Sequence, residues 1–403
     1  MIQPNSPSNR LPMHPLRSAA GLDRWAAEGV GSPATRDLLV VGAGLAGSAA
    51  AIRAAAHGVR VTWVDAASFP RDKVCGCCLN LSALGALAEI GCATIAHDLV
   101  TDDLRAWQLT AAGRTIDAKL PGGIAVSRAK LDWALIEQAR SRGLQLRTKV
   151  QAKVLDVRGT GVDVRLSDES ADRRFDAVIW ATGLSGGGVS RWLPWVVAPH
   201  GPLGVAVLVD DLPGVPERTI RMVCADDGYV GLVRVEDGQV DVAAALRRDA
   251  GAGDGEAGGD PKSRLLARVN AILATARLGP LSEHCAERLM TTPPLRRARQ
   301  CGHGGLLAVG DAAGYVEPFT GEGMAWAIRS GIAAADCVAE TDRESDLGRL
   351  WCREHARQLR SRQWLCRALS QALASPGGSR WLFRAMALAP WAVRGAVRRL
   401  NRV

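Results

Sequence analysis

Residues 39–65 constrain this chain more than any other stretch. An apolar run, Leu39-Val40-Val41, meets Gly42-Ala43-Gly44-Leu45-Ala46-Gly47, and Val61-Thr62-Trp63-Val64 then ends in Asp65. The pattern predicts a strand, a tight turn, a helix packed through Ala46, Ala49, Ala50, Ala51, Ala54 and Ala55, and a second strand with a carboxylate at its end. Gly42 permits the sharp turn, Gly44 lets backbone approach a pyrophosphate, and Gly47 lets helix and strand pack closely. The helix N-terminus offers amides and the positive end of its dipole to phosphates. Gly58 sits where a helix C-cap is expected. Asp65 is placed to accept a hydrogen bond from an adenosine ribose hydroxyl. Together these parts point to a bound dinucleotide.

The remaining sequence bounds what surrounds that unit. A chain of 403 residues, 47% hydrophobic and 23% charged, is globular and long enough for two or three domains. No apolar run approaches the roughly 20 residues needed to span a bilayer. Residues 1–36 scatter Pro, Ser, Asn and Arg and are expected to form a flexible extension rather than a secretory signal. Ten cysteines spread over a long nucleotide-binding chain read as reduced thiols in a cytoplasmic protein.

Charge is concentrated at one end. From Arg349 onward there are twelve arginines and one acid, Glu354, a net +11, so the rest of the chain sums to −2 against the total of +9. Trp351, Trp364, Trp381 and Trp391 share that segment. Such a helical tail suits peripheral contact with an anionic inner membrane surface or an acidic acyl-carrier domain. It equally suits a cap packed on the body with its arginines in solvent. Without a recognised nucleic-acid module, nucleic acid is not an expected partner.

Along the chain, strands are expected near 104–109, 115–120, 148–157 and 162–166, and at Asp176–Thr182. Helices are expected from Ser82 and from Arg128. Residues 203–290 change character: short alternating runs separated by turn residues predict an antiparallel sheet, with a surface loop at 249–261. The α/β pattern resumes at Leu306-Leu307-Ala308-Val309, followed by Gly310-Asp311 and the loop Tyr315-Val316-Glu317-Pro318-Phe319-Thr320-Gly321-Glu322-Gly323. Asp311 would lie at the sheet's carboxyl edge, where open α/β sheets bind ligands. Taken alone, Gly-Asp-Ala-Ala also reads as a plain strand-to-helix turn.

Taken together, these motifs resemble the FAD-dependent oxidoreductases related to p-hydroxybenzoate hydroxylase, most of all their geranylgeranyl reductase-like branch, over residues 37–345. Pro70-Arg71-Asp72-Lys73-Val74-Cys75-Gly76 looks like that branch's Pro-x-x-Lys-x-Cys-Gly loop. The resemblance implies an α/β fold: a Rossmann-like FAD-binding domain (37–202 and 291–345), an inserted antiparallel substrate sheet (203–290 with part of 99–125), and a basic helical region at 346–403. It implies FAD, bound by Gly42, Gly44, Gly47, Asp65, Arg71, Arg128, Gly310, Asp311, Pro318, Gly321 and Gly323. Arg128 would lie near the flavin phosphates or ribityl chain, Asp311 would hold a ribityl hydroxyl, and Gly321 and Gly323 would lie near the flavin ring. The implied reaction is hydride transfer from reduced flavin to a carbon–carbon double bond of a largely apolar small molecule, with Cys75 or a water as proton donor. Hydroxylation of an aromatic or polyketide-like substrate by a monooxygenase is the rival chemistry. A lipid- or carrier-docking protein with structural FAD is a third reading.

The chain also departs from its relatives' patterns. Ala181-Thr182-Gly183 stands where many flavin hydroxylases carry the Asp-Gly that assists NADPH, so the electron donor, NAD(P)H or a reduced carrier, stays open. The Trp-x-Trp-x-Ile-Pro signature of flavin-dependent halogenases is absent. Arg71 and Lys73 are expected to favour the Cys75 thiolate, while Cys75, Cys77 and Cys78 can also be packing residues. Their spacing does not suit zinc, and no metal site is expected. His303 can approach the active site or be solvated. Tyr229 can line the pocket or pack in the core.

Overall fold

The computed structural model describes residues 36–99, 103–159, 161–185, 187–197, 201–248, 260–315 and 321–358. All but Arg36 of the expected extension, most of the loop at 249–261, and residues 359–403 of the basic tail lie outside them.

The apolar run after Arg36 becomes strand Asp37–Val41, fully buried from Leu38 to Val40. It lies parallel to Arg60–Asp65 on one side and to Ala177–Trp180 on the other. A strand covered on both faces needs such a continuous apolar stretch. Leu146–Thr148 extends the sheet beyond Arg60–Asp65, and Leu306–Ala308 extends it beyond Ala177–Trp180. The two-residue strand Gly302–His303 closes that edge antiparallel. The carboxyl ends of three central strands, at Val41, Trp180 and Ala308, therefore open side by side.

Helix Leu45–Ala56 follows the glycine turn and crosses helix Gly323–Glu340 at very close range. A Cβ on Gly331 would fall 2.1 Å from the Ala46 carbonyl oxygen. Only the bare backbone of glycine allows this crossing. We expect Gly331→Ala to cost about 1–3 kcal/mol, as overpacking of a tight core does, read as a lower urea midpoint with an unchanged slope.

The second core lies under a seven-stranded sheet. Its order is Met290–Pro294, Leu203–Val209, Val240–Leu246, Gly228–Arg234, Thr219–Ala225, Ala106–Ala111, Arg114–Lys119. One face, with Val205, Val207, Val230, Leu232, Val240 and Val242, packs on helix Pro261–Thr275 through Leu266, Val269, Ile272 and Leu273. Two features differ from the expected antiparallel sheet of 203–290. Thr219–Ala225 and Ala106–Ala111 run parallel, because the latter strand enters from the cofactor half of the chain rather than by a hairpin. Met290–Pro294 also belongs to the sheet, so the sheet runs past the expected boundary at 290.

The two layers are pinned together at one corner. The hairpin after Arg234 sends the Glu236 carboxylate to accept from the Ser127 amide at 2.9 Å, while Asp237 pairs with Lys130 at 2.8 Å. Ser127 caps helix Arg128–Arg140, so the sheet is registered directly on the helix that carries Arg128. Among the described residues, no helix is long and apolar enough to cross a membrane.

Candidate active site

The glycine turn is as tight as its sequence implies. Gly42 has φ +111°, and a Cβ there would lie 2.5 Å from the Ala181 carbonyl oxygen. A Cβ on Gly47 would lie 1.9 Å from the Gly42 oxygen. Gly44 differs: it is the N-cap of helix Leu45–Ala56 with no side-chain cap, and the nearest atom to its missing Cβ is Arg128 Nη2 at 3.6 Å. The first-turn amides are thus open to a ligand, the setting in which helix N-termini bind phosphate. The Asp65 carboxylate accepts from the Ala43 amide at 2.7 Å and from the Ala67 amide at 2.8 Å. Each oxygen keeps a further lone pair, so Asp65 braces the turn and can still receive a hydroxyl.

Across the groove, Arg128 is buried with Asp132. Three donor–acceptor distances of 2.9–3.1 Å join the guanidinium to both carboxylate oxygens. Burial opposes the arginine's charge, but Asp132 and Cys75 together raise its pKa. Removing the partner would strand a buried cation. Asp132→Ala is expected to cost about 3–5 kcal/mol in chemical denaturation, the usual penalty for breaking a buried pair.

Lys73 lies 3.9 Å from Asp311, and its ammonium approaches Gly183. Burial, then the Arg128 charge, lower its pKa, with Asp311 opposing. Arg71 sits 4.0 Å from Asp65 and stacks on Phe69 at 5.0 Å, and its buried Nε has no hydrogen-bond partner. Cationic groups aimed at an open glycine turn fit the phosphates of a dinucleotide.

All of this borders one cavity of about 1440 Å³. Gly42, Gly44, Asp65, Arg71, Arg128, Asp311, Gly321 and Gly323 all line it. Gly47 and Gly310 stand behind it, as packing positions. The Gly310 amide donates to Ser330 Oγ at 2.8 Å, and its missing Cβ would lie 3.0 Å from the Ala46 methyl. Pro318 lies outside the described residues. His303 is exposed on the edge strand and does not line the cavity.

The other wall is the free face of the seven-stranded sheet. Register places Met222, Gly231 and Ala243 in one row and Cys224, Tyr229 and Ala245 in the next. Of these, Met222, Tyr229, Gly231, Ala243 and Ala245 line the cavity, joined by Trp107, Leu109 and Leu295. Small residues at the centre of the sheet open the space, and large apolar ones rim it. Its volume exceeds the few hundred to about 1,000 Å³ of ordinary ligand pockets, leaving room for a second molecule beside a dinucleotide.

Between the two walls lies the cysteine loop. Cys75 is half-buried on the cavity, Cys78 lines it too, and Cys77 is buried among Leu104, Ala125, Val233 and Val235. The Cys77 thiol, hydrogen-bonded to Cys75, holds the Cys75 pKa well below the usual thiol value, against desolvation and with help from Arg128. The stabilising cation is therefore mainly Arg128, not the expected Arg71 and Lys73: helix Arg128–Arg140 aims it at the loop. Cys77 is pushed up by the same hydrogen bond and by burial, and Cys78 by burial.

One further residue escapes a motif search. Asp241 sits in the sheet row of Val233 and Leu208, two residues from Ala243 on the same face, and is buried. It meets Cys77, and its Oδ2 has no hydrogen-bond partner. Burial, then the Cys75 charge, push its pKa well above the carboxylate range. A lone acid amid Val240-Asp241-Val242-Ala243 is the signal that marks it, because buried strands rarely carry one.

Residues 35–179 match the FAD binding domain family. Menaquinone reductase from Mycobacterium tuberculosis (strain ATCC 25618 / H37Rv) is 28% identical over 334 residues, 78% of either chain. Klebsiella pneumoniae HpxO, solved with FAD and uric acid, superposes with a TM-score of 0.72 at 15% identity, covering 90% of this chain and 96% of that one. The myxobacterial chondrochloren halogenase CndH gives a TM-score of 0.71 at 18% identity over 90% and 91% of the two chains. With the glycine turn, the cationic groove and Asp311 on one cavity, these likenesses complete the case: the chain has the p-hydroxybenzoate hydroxylase-like fold, takes FAD as cofactor, and is an FAD-dependent oxidoreductase.

Proposed function

We propose that the chain is a reductase of the geranylgeranyl reductase-like branch, saturating a carbon–carbon double bond in a largely apolar substrate. The observation that carries this reading is the Cys75 thiol on the cavity, between the cofactor groove and an apolar sheet face. The name menaquinone reductase among the relatives agrees with it.

FAD, when bound, supplies the hydride. The first-turn amides beyond Gly44 would hold its pyrophosphate and Asp65 its adenosine ribose. Arg71 and Arg128 would face the phosphates and ribityl chain, Asp311 a ribityl hydroxyl, and Gly321 and Gly323 the ring. The apolar face with Met222, Tyr229 and Ala243 would hold the substrate and exclude water. Saturating a double bond also needs a proton. Cys77 keeps its proton at neutral pH, Asp241 holds its own well above the usual carboxylate range, and Cys75 stands between them and the cavity. Cys75, a thiolate at neutrality, would first take up a proton passed from Asp241 through Cys77 and then deliver it from Sγ to carbon.

Anaerobic reduction of the purified holoenzyme, followed by polyprenyl or prenyl-quinone substrates, tests this reading. Flavin reoxidation without oxygen, with a product richer by two hydrogens, is the expected result. The second reading, hydroxylation of an aromatic or polyketide-like substrate, draws on the fold, which hosts more than one flavin chemistry. Oxygen uptake coupled to NAD(P)H consumption, with no anaerobic reoxidation by any prenyl substrate, would replace the first reading with the second. An apolar substrate also suits a docking role for the arginine-rich segment from Arg349, at an anionic lipid surface or an acidic carrier. Most of that segment lies outside the described residues, and its docking is tested by co-sedimentation with anionic vesicles.

A further inference from the structure

At the Gly302–His303 edge of the six-stranded sheet, two other cysteines meet. Cys301, buried, immediately precedes the edge strand Gly302–His303, and Cys352 lies in the helix formed by residues 347–358. Their sulfurs are 3.3 Å apart, and Cys352 Sγ is 3.7 Å from the Gly302 carbonyl oxygen. An S–S bond is about 2.05 Å long, so closure needs a movement of only about 1.2 Å.

The approach is built into the packing. A Cβ on Gly302 would fall 2.4 Å from the Gly348 oxygen, and one on Gly348 would fall 2.5 Å from the His303 amide nitrogen. Helix and edge strand therefore touch backbone to backbone, through paired glycines. Trp351, fully buried, donates its indole N–H to the Ala308 carbonyl at 2.9 Å and fixes the helix rotation. Cys352, next in sequence, is thereby turned onto Cys301. Cys352 is only partly buried, whereas Cys301 is enclosed.

We propose that Cys301 and Cys352 form a redox modification site, a dithiol that hydroperoxides convert to a disulfide stapling the C-terminal helix to the cofactor sheet. The Cys352 thiolate attacks one oxygen of hydrogen peroxide; the O–O bond breaks, leaving a sulfenic acid on Cys352 and hydroxide, which takes up the thiol proton as water. The Cys301 sulfur then attacks Cys352 Sγ, the S–O bond breaks, and a second water leaves. Two thiols lose two electrons, and one peroxide becomes two waters. The division of roles follows from the pair itself: Cys301, donating to Cys352, lowers the Cys352 pKa while its own rises. The staple would hold Trp351 against Ala308, three residues before Asp311. It is independent of the substrate and of the reductase reading.

The reduced, full-length holoenzyme is treated with hydrogen peroxide, its remaining thiols are capped with N-ethylmaleimide, and a non-reduced digest is analysed by mass spectrometry. The expected product joins the Cys301 and Cys352 peptides with loss of two hydrogens and of both maleimide labels, and dithiothreitol restores both. In Cys301→Ser, the Cys352 sulfenic acid persists and is trapped by dimedone. Recovery of both residues as maleimide adducts while other thiols oxidise would overturn the proposal. So would a dominant pairing of either residue with another cysteine. The wild-type digest decides the matter even if the serine variant fails to fold.

Discussion

Gly44→Ala is expected to yield a folded protein that no longer retains FAD. At the other two turn glycines a side chain collides with backbone: 2.5 Å from the Ala181 oxygen at Gly42, and 1.9 Å from the Gly42 oxygen at Gly47. Those substitutions break the fold and say little about binding. Gly44 has an ordinary extended backbone, φ −77° and ψ −175°, and a methyl there meets only Arg128 at 3.6 Å. Exchanging glycine for alanine at an N-cap costs stability only on the order of 1 kcal/mol. The methyl would, however, stand between the first-turn amides and the pyrophosphate. A loss of affinity of about 100-fold, about 2.7 kcal/mol, is expected. Flavin absorbance per protein after gel filtration, beside an unchanged circular dichroism spectrum, measures it. Full retention of FAD in this variant would mean that the pyrophosphate does not approach here.

The second large effect belongs to Cys75. Cys75→Ala is expected to slow substrate saturation by about 10²–10⁴-fold, the usual worth of a positioned proton-transfer group, with FAD content unchanged. Its thiol is also expected to react with iodoacetamide at neutral pH, while Cys77 and Cys78 stay protected. The sign follows from the shifts: a depressed pKa leaves Cys75 as thiolate at neutrality, and reactivity falls as acid protonates it. Cys77 and Cys78, with raised values, remain thiols until strongly alkaline pH. Cys77 and Arg128, not Asp241, hold the Cys75 pKa down, so in Asp241→Asn the Cys75 alkylation near neutrality should change little. The same variant should alter the pH profile of turnover, because the proton reserve behind Cys77 is gone. Equal loss of Cys75 alkylation in Asp241→Asn and in Cys77→Ala would show a merely structural role for the aspartate.

These two sites were legible in the sequence to different degrees. The requirements at the glycine turn are local: a positive φ at Gly42, bare backbone at Gly47 and a carboxylate at the next strand's end all fall within 24 residues. The helix starts expected at Ser82 and Arg128 fall at Leu81 and Arg128, where the structure shows Asn80 and Ser127 as caps. The Pro-x-x-Lys-x-Cys-Gly loop marked Cys75, but not what sets its acidity. That is decided by Cys77 and by Arg128 on the adjacent helix, while Asp241, 166 residues away along the chain, is brought behind Cys77 by sheet register.

The sequence by itself determined the cofactor domain, since its order of strand, glycine turn, helix and acid follows from steric limits on neighbouring residues. Only the tertiary structure decided which groups share the cavity. Pairing of distant strands sets Ala243 beside Gly231 and Met222 and Asp241 beside Val233, and there Cys77 and Arg128 lower the Cys75 pKa while burial raises that of Asp241. It also set Cys352 on Cys301, because two glycines far apart in the chain let a helix and a strand touch where any side chain would hold them apart.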